Sequence, residues 1–245
     1  MDGGAQDDVE RWLGCTELPG RPVPDWMTHL VRGLETVRAT EISRNDRPAV
    51  EVSPRQSAVL VLLADGPDGP EVLLQLRSRG LREHAGEVSF PGGRREDGDD
   101  GPVATALREA VEETGLDPDG VDPLVLLPRL VLGTGHHVTA VGAHWRRPAA
   151  VPAVDRGETA SVFRMPLSRL ADPAVRLWVH HTMGWSGPAF EVDGMVVWGY
   201  TAEVLETVLR LGGWERPWTP GESVEIGRAE AAALARWRGS GTPAR

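Results

Sequence analysis

Three glutamates are spaced so that they could act together on one metal ion. Glu109, Glu112 and Glu113 lie in a segment whose apolar residues recur at helical spacing. Residues three and four apart are neighbours on a helix, so we expect the carboxylates of Glu109 and Glu113 to converge with Glu112 alongside. Mg²⁺ takes oxygen ligands and keeps waters and phosphate oxygens as its remaining ligands, so a hard cation would relieve the repulsion between them. A solvated acidic helix face is the alternative interpretation.

A helix over residues 102–114 must position these side chains. Its apolar stripe is expected to face a core and consists of Val103, Ala106, Leu107, Ala110 and Val111. Asp99 or Asp100 can cap the start, with Pro102 in the first turn. Gly115 suits the left-handed residue that ends a helix, and Pro118 prevents its resumption.

The segment resembles a known motif. Residues 108–116 read Arg-Glu-Ala-Val-Glu-Glu-Thr-Gly-Leu, which resembles the second half of the Nudix box, G-x5-E-x7-R-E-U-x-E-E-x-G-U with U aliphatic. The first half departs from the motif, because Gly93 is followed by five residues, Asp99 and then eight residues before Arg108. One extra residue and an Asp in this loop resemble the coenzyme A pyrophosphatase branch of the superfamily.

A second signature of that branch precedes the box. Residues 73–93 match every fixed position of L-L-x-x-R-x-x-x-L-x-x-H-x-G-x-x-x-F-P-G-G. The resemblance extends to the Trp-Gly-Tyr-Thr-Ala run at 198–202 and covers about residues 45–212. It implies a Nudix-type α/β/α sandwich with a mixed β-sheet. The implied reaction is hydrolysis of the diphosphate of coenzyme A or its thioesters to 3′,5′-ADP and (acyl-)4′-phosphopantetheine.

The resemblance also implies roles for individual residues. Glu109 and Glu113 are expected to bind Mg²⁺ or Mn²⁺, and Glu112 either is a further metal ligand or orients the attacking water. Arg108 resembles the box arginine that braces a carboxylate in the loop, so the expected catalytic group is Glu112, Glu113 and Arg108. Divalent ions neutralise phosphate oxygens and lower the pKa of a bound water.

The expected substrate contacts surround the box. They are Arg77, Arg82, His84, Gly92, Gly93 and Arg95. The first three belong to the upstream signature, which the branch ties to coenzyme A recognition, and arginines near the cleft suit a ligand with a 3′-phosphate. The two glycines are expected to give the loop freedom to approach phosphate or metal.

Two other functions remain open. The chain could be a Nudix hydrolase of another nucleoside diphosphate derivative, such as ADP-ribose or a dinucleoside polyphosphate, although the upstream signature speaks against this. It could also be a non-catalytic nucleotide-binding Nudix module, but such modules usually lose box glutamates and this chain retains all three.

Composition excludes several other classes. With 26 Lys+Arg, all of them Arg, against 36 Asp+Glu, the net charge of −10 disfavours a nucleic-acid partner. The sequence contains no run of eighteen apolar residues, so no membrane-spanning helix is expected. The acidic first eight residues do not resemble a signal peptide, and Cys15 is the sole cysteine, so the expected location is the cytoplasm. The expected partner is a small-molecule substrate, and a homodimer is possible.

The other elements predict an α+β fold. Strands are expected at 57–64, 71–77, 123–132, 137–146, 161–166 and 195–200. Helices are expected near 25–37, capped by Asp25, and near 202–212 and 226–237. Residues 1–25 are expected to form a short helix followed by a loop. Strands arranged in hairpins favour a mixed sheet over a doubly wound one. The expected division is a partly helical N-terminal extension at 1–44, a Nudix hydrolase domain at 45–215, and a C-terminal helix and polar tail at 216–245.

Overall fold

The computed structural model describes residues 3–43, 55–81, 83–132, 136–182 and 184–239. Its helices are α1 (Gly3–Gly14), α2 (Thr28–Leu34), α3 (Ala39–Ile42), α4 (Pro102–Thr114), α5 (Leu167–Leu170), α6 (Gly199–Leu211) and α7 (Ile226–Gly239). Its strands are β1 (Gln56–Gly66), β2 (Gly69–Arg77), β3 (Val88–Ser89), β4 (Gly92–Arg94), β5 (Val121–Leu126), β6 (Leu130–Val131), β7 (His137–Trp145), β8 (Thr159–Pro166), β9 (Arg176–His180), β10 (Ser186–Val192), β11 (Met195–Val197) and β12 (Val224–Glu225).

The larger sheet is mixed, which confirms the predicted α+β class. Its main order is β3-β2-β1-β7-β5, and β4, β6 and β8 pair with β1, β7 and β2. Strands β1 and β7 run parallel, with Ser57 opposite Val138, whereas β1 pairs antiparallel with both β2 and β4. The pairing of β4 with β1 matters for the site, because it fixes Gly92 and Gly93 beside the centre of the sheet.

Helices cover both faces of this sheet. Alternate residues of β1 face opposite sides, as the two-residue period of a strand requires. Leu60 and Leu62 pack with Trp12 of α1 and with Ala106 of α4. Val61 and Leu63 pack instead with α2 and α6. The result is the expected α/β/α sandwich, and α4 lies directly on β1 and β4.

The predicted helices and hairpins agree with the structure in most places. Two details are wrong: residues 199–200 begin α6 rather than ending a strand, and Asp25 does not cap the helix that follows it. Gly199 adopts φ 64°, a left-handed conformation that does not continue a strand. The predicted strand at 123–132 is divided into β5 and β6.

A second sheet was not predicted. Strands β9 and β10 form its centre, with β11 and β12 at the edges. It packs against α7 through a small core that includes Val179, Ala189 and Ile226. Arg176 anchors this region, since its guanidinium bonds Glu206 at 2.6 Å and Glu215 at 3.2 Å. Among the described residues, no helix is both long and apolar enough to span a bilayer.

Candidate active site

Helix α4 has the predicted bounds. Pro102 fits the first turn, where an N–H would have no partner, and Gly115 takes the left-handed conformation at φ 64° that ends the helix. The residue before the helix is Gly101, and no side chain caps it. The predicted cap by Asp99 or Asp100 is therefore wrong. Asp99 instead bonds side chains farther along the helix.

The buried face of α4 is rotated from the predicted stripe. Ala106 and Ala110 are fully buried, as expected, but Val111 is exposed and Glu113 is only 7% exposed. A pattern of apolar residues cannot reveal that a carboxylate takes a buried position. The helix thus directs one predicted ligand inward, against the sheet.

Glu113 lies in a confined and desolvated position. Its Oε2 accepts a 2.9 Å hydrogen bond from the backbone N–H of Gly92, and Arg77 Nη1 lies 3.6 Å from its Oε1. Burial raises the pKa of Glu113 to about 7, although the Gln75 side chain and the Gly92 N–H act in the opposite direction. The Glu109 carboxylate contributes to this rise in pKa, and the charge of Arg77 opposes it. The two carboxylates are therefore near neighbours, as their spacing predicts.

Glu109 lies against the backbone of β4. A Cβ added to Gly93 would be 2.4 Å from Glu109 Oε1, far inside van der Waals contact. Glycine is therefore the residue that lets this carboxylate lie on the strand. Burial raises the pKa of Glu109, and the charge of Arg108 opposes the rise.

Arg108 connects the loop to the glutamates. It donates to both oxygens of Asp99, from Nε and Nη2 at 3.1 Å each, and to the Arg94 carbonyl at 2.8 Å. It also donates to Glu109 at 3.2 Å and to Glu112 at 3.2 Å. Burial alone would raise the pKa of Asp99, but its hydrogen bonds with Arg108, the Glu96 N–H and Thr105 hold the pKa below its ordinary value. Asp99 is thus the loop carboxylate that the arginine braces.

The three glutamates do not form a closed cage. Glu112 is 56% exposed and points to Arg108. In the ranges that the structure describes, no three His, Cys, Asp or Glu side chains converge enough to enclose a metal ion. The hard oxygen donors of buried Glu113 and half-buried Glu109 nevertheless fit Mg²⁺, which is commonly held by one or two carboxylates plus waters and substrate phosphates.

A cleft of about 440 Å³ is lined partly by the upstream signature. Its lining residues are Arg55, Glu83, His84, Glu87, Arg94 and His136. His84 Nδ1 lies 3.0 Å from Glu87, and this hydrogen bond raises the pKa of His84. Burial, together with the charges of Arg94 and Arg55, lowers the pKa of His136. The cleft therefore combines cationic and acidic groups.

The predicted substrate contacts are distributed unevenly. His84 lines the cleft, Arg77 lies beside Glu113, and Gly92 and Gly93 contact the two inner glutamates. Arg82 lies outside the described residues. The structure does not bring Arg95 to this group, because its guanidinium pairs with Asp8 of α1.

Sequence reasoning overlooked Arg94, the neighbour of Arg95. Arg95 directly follows β4, and its N–H still bonds the Gln56 carbonyl at 3.0 Å. Adjacent side chains of an extended chain point to opposite sides, so one of the pair had to face away from the cleft. Arg55 and His136 were also absent from the predicted site, since nothing in their local sequence indicates that the chain brings them to Arg94.

These features define a class of protein. The NUDIX domain family matches residues 54–182, more than half of the chain, and the chain belongs to that family. Two relatives, each named "Uncharacterized Nudix hydrolase NudL", come from Cronobacter sakazakii and Escherichia coli K12. The first is 37% identical over 66% of this chain and 85% of the relative, and the second is 36% identical over 64% and 83%. Together these matches indicate a hydrolase that acts on pyrophosphate bonds.

Solved structures show a looser likeness. A Nudix hydrolase from M. smegmatis, RenU, is 19% identical, covers 67% of this chain and 89% of that protein, and has a TM-score of 0.47. A MutT/nudix family protein from Enterococcus faecalis is 15% identical, covers 78% of this chain and 74% of that protein, and has a TM-score of 0.44.

Proposed function

We propose that the protein is a metal-dependent hydrolase that cleaves the diphosphate of coenzyme A or its thioesters to 3′,5′-ADP and (acyl-)4′-phosphopantetheine. The observation that carries this proposal is the contact between the two sequence signatures. The last glycines of the upstream signature, Gly92 and Gly93, contact Glu113 and Glu109 of the box. The segment that resembles a coenzyme A signature is thereby joined to the residues expected to act on a diphosphate.

The metal would be held on the side of α4 that faces β4. Glu109 and Glu113 offer hard oxygen ligands, and a divalent cation would favour the charged forms that burial disfavours. When bound, Mg²⁺ or Mn²⁺ would neutralise phosphate oxygens and acidify a water molecule. Glu112 faces solvent beside them and is placed to orient an incoming water or to complete the ligand set.

Arg108 would act by holding the loop and the carboxylates at a fixed distance from each other. Its fork bonds Asp99 on one side and reaches Glu109 and Glu112 on the other, so it sets the spacing between the loop and the carboxylates. A lysine could not reproduce this pattern, because it carries a single point charge. Arg108 thus belongs to the catalytic group without needing to touch substrate.

The cleft beside β4 would take the phosphate-rich end of the substrate. Arg94 and Arg55 line it, and arginine forms charge-assisted bonds to phosphate. Coenzyme A carries a 3′-phosphate in addition to its diphosphate, which gives these residues a group to recognise. Arg77 lies closer to Glu113 and would contact the diphosphate itself.

A substrate panel tests the proposal. The full chain is assayed with Mg²⁺ or Mn²⁺ against coenzyme A, dephospho-coenzyme A, ADP-ribose and diadenosine tetraphosphate. We expect the highest kcat/KM for coenzyme A, and a value roughly ten- to a hundredfold lower for dephospho-coenzyme A, because a charge-assisted bond contributes about 1.5–3 kcal/mol. A kcat/KM for ADP-ribose or the dinucleotide above that for coenzyme A would overturn the substrate assignment.

Two adjacent arginines offer a matched control. Arg94→Met should lower kcat/KM for coenzyme A and leave that for dephospho-coenzyme A nearly unchanged, since Arg94 lines the cleft. Arg95→Met should not alter the ratio between the two substrates, because Arg95 faces α1. Equal discrimination in the two variants would remove Arg94 from the recognition of the 3′-phosphate.

A further inference from the structure

Helix α1 lies outside the residues that match the family, yet it contacts the loop of the Nudix box. The family match begins at residue 54, whereas α1 spans Gly3–Gly14. Trp12 is buried against α4, and Asp8 pairs with Arg95 in the loop. A Cβ added to Gly101, the residue before α4, would lie 2.8 Å from Cβ of Cys15, the residue after α1, so the end of α1 packs directly on the start of α4.

A chain of hydrogen bonds starts from this helix. The indole N–H of Trp12 donates to Thr105 Oγ1 at 3.2 Å. Thr105 is fully buried, and its hydroxyl lies 2.8 Å from Asp99 Oδ2 but 3.3 Å from the Gly101 carbonyl. A hydroxyl donates one proton, and the shorter contact to a charged acceptor is the stronger one. The indole thus occupies an acceptor site on the hydroxyl and leaves its proton to Asp99.

The chain continues to the glutamates. Asp99 accepts hydrogen bonds from both Nε and Nη2 of Arg108, and the same guanidinium also donates to Glu109 and Glu112. The bonds from Trp12 and Thr105 run in one direction and polarise each other, and Asp99 is the common acceptor that holds both Thr105 and Arg108 in place. Four hydrogen bonds, through Thr105, Asp99 and Arg108, therefore link the indole of Trp12 to the carboxylate of Glu109.

We propose that Trp12 is a positioning residue of the active site, which acts through Thr105 and Asp99 to fix the guanidinium of Arg108 and so the carboxylates of the metal site. Helix α1 is then a working part of the enzyme rather than an appendage. This inference rests on the proposed function for its metal site, but it does not depend on which diphosphate is cleaved.

The test measures Mn²⁺ binding by calorimetry in the full chain, alongside turnover of coenzyme A. Trp12→Phe keeps the ring packing and removes the N–H, and should weaken Mn²⁺ binding and lower kcat by about two- to tenfold, the range for one neutral hydrogen bond. Thr105→Val also breaks the bond to a charged acceptor and should cost about ten- to a hundredfold. Thr105→Ser keeps the hydroxyl and should restore both values nearly to wild type.

Packing is controlled separately. Val9→Ala removes buried volume from the same helix without touching the hydrogen bonds, since Val9 is buried on α1. It should lower the melting temperature and leave Mn²⁺ affinity unchanged below the melting range. The double variant Trp12→Phe with Thr105→Val should bind Mn²⁺ as Thr105→Val alone does, because both substitutions interrupt one chain.

The outcomes separate the two proposals. Wild-type Mn²⁺ affinity in both Trp12→Phe and Thr105→Val would overturn the positioning role, even if coenzyme A is hydrolysed. Weakened Mn²⁺ binding in a protein that fails to cleave coenzyme A would support the positioning role and overturn the substrate. Absence of Mn²⁺ binding in the wild-type protein would overturn both.

Discussion

Replacing Gly93 by alanine should impair the metal site while leaving the fold nearly intact. The added Cβ would lie 2.4 Å from Glu109 Oε1, whereas ordinary contact begins at 3.4 Å. The carboxylate must therefore withdraw by about 1 Å. The three atoms nearest to the added Cβ all belong to the end of the Glu109 side chain, which can move more readily than a backbone.

The magnitude follows from this displacement. Misplacing a catalytic group by about 1 Å can cost roughly 10²-fold in rate, so kcat/KM for coenzyme A should fall about a hundredfold. Unfolding stability should stay within about 1 kcal/mol of wild type, because alanine restricts the unfolded chain and offsets the local rearrangement. Urea unfolding and Mn²⁺ calorimetry on the same preparation measure the two effects separately.

Gly92→Ala is the comparison variant and should lower the stability of the fold itself. Gly92 has φ 153°, and a Cβ there would lie 2.4 Å from the Ala58 carbonyl oxygen, which belongs to the central strand and cannot move away. Backbone strain and overpacking predict a loss of about 2–5 kcal/mol in stability. If Gly93→Ala binds Mn²⁺ and turns over coenzyme A at wild-type levels, Glu109 is not a metal ligand in the observed conformation.

Three further substitutions test other parts of the structure. Since the pKa of Glu113 is about 7 when folded and 4.5 ordinarily, burial of its charge penalises folding only as pH rises through that interval. Metal-free Glu113→Gln should therefore match wild type near pH 4.5 and be up to about 3 kcal/mol more stable at pH 8, as measured by urea unfolding in EDTA, and lower stability than wild type at pH 8 would refute the burial argument. With Mg²⁺ present, its turnover of coenzyme A should fall by about 10²-fold or more. Arg108→Lys keeps the charge but loses the bidentate bond to Asp99, so kcat should fall about ten- to a hundredfold with a modest change in melting temperature. An unchanged kcat would mean that Arg108 does not position the loop and the carboxylates. Arg176→Met leaves the Glu206 carboxylate without its cation, so the free energy of unfolding in urea should fall by about 2–4 kcal/mol. We expect kcat to stay unchanged below the unfolding transition. A selective loss of kcat would mean that the second sheet contributes to the active site.

The bounds of α4 were predictable because their signals are local. Pro102, Gly115 and the apolar repeat define where α4 begins and ends, and the spacing of Glu109 and Glu113 places them on adjacent turns. The burial of Glu113 in place of Val111 was not predictable. It depends on the contact with Gly92 of β4, which lies 21 residues earlier in the chain.

The second sheet lacked a comparable local signal. Strands β9 and β10 contain Arg176, His180 and Pro188, which interrupt the apolar alternation expected of a strand. Arg176 is buried only because Glu206 and Glu215 arrive from distant parts of the chain. Long-range ion pairs of this kind leave no periodic pattern in the sequence.

The contact of α1 with the loop before α4 had no signal in the sequence either. Trp12 and Thr105 are 93 residues apart, and neither residue type indicates a catalytic role by itself. The division of the chain at residues 44 and 215 stays a prediction. Trp12 nevertheless shares a hydrophobic cluster with residues of β1 and α4.

Product analysis of coenzyme A hydrolysis tests the central claim most directly. The full chain is incubated with Mg²⁺ and coenzyme A in ¹⁸O-labelled water, and the products are identified by mass spectrometry. We expect 3′,5′-ADP and 4′-phosphopantetheine in equal amounts, with the label in the phosphate of one of them and no inorganic phosphate. Inorganic phosphate as the main product would mean that the site cleaves the 3′-phosphate rather than the diphosphate, and would contradict the account.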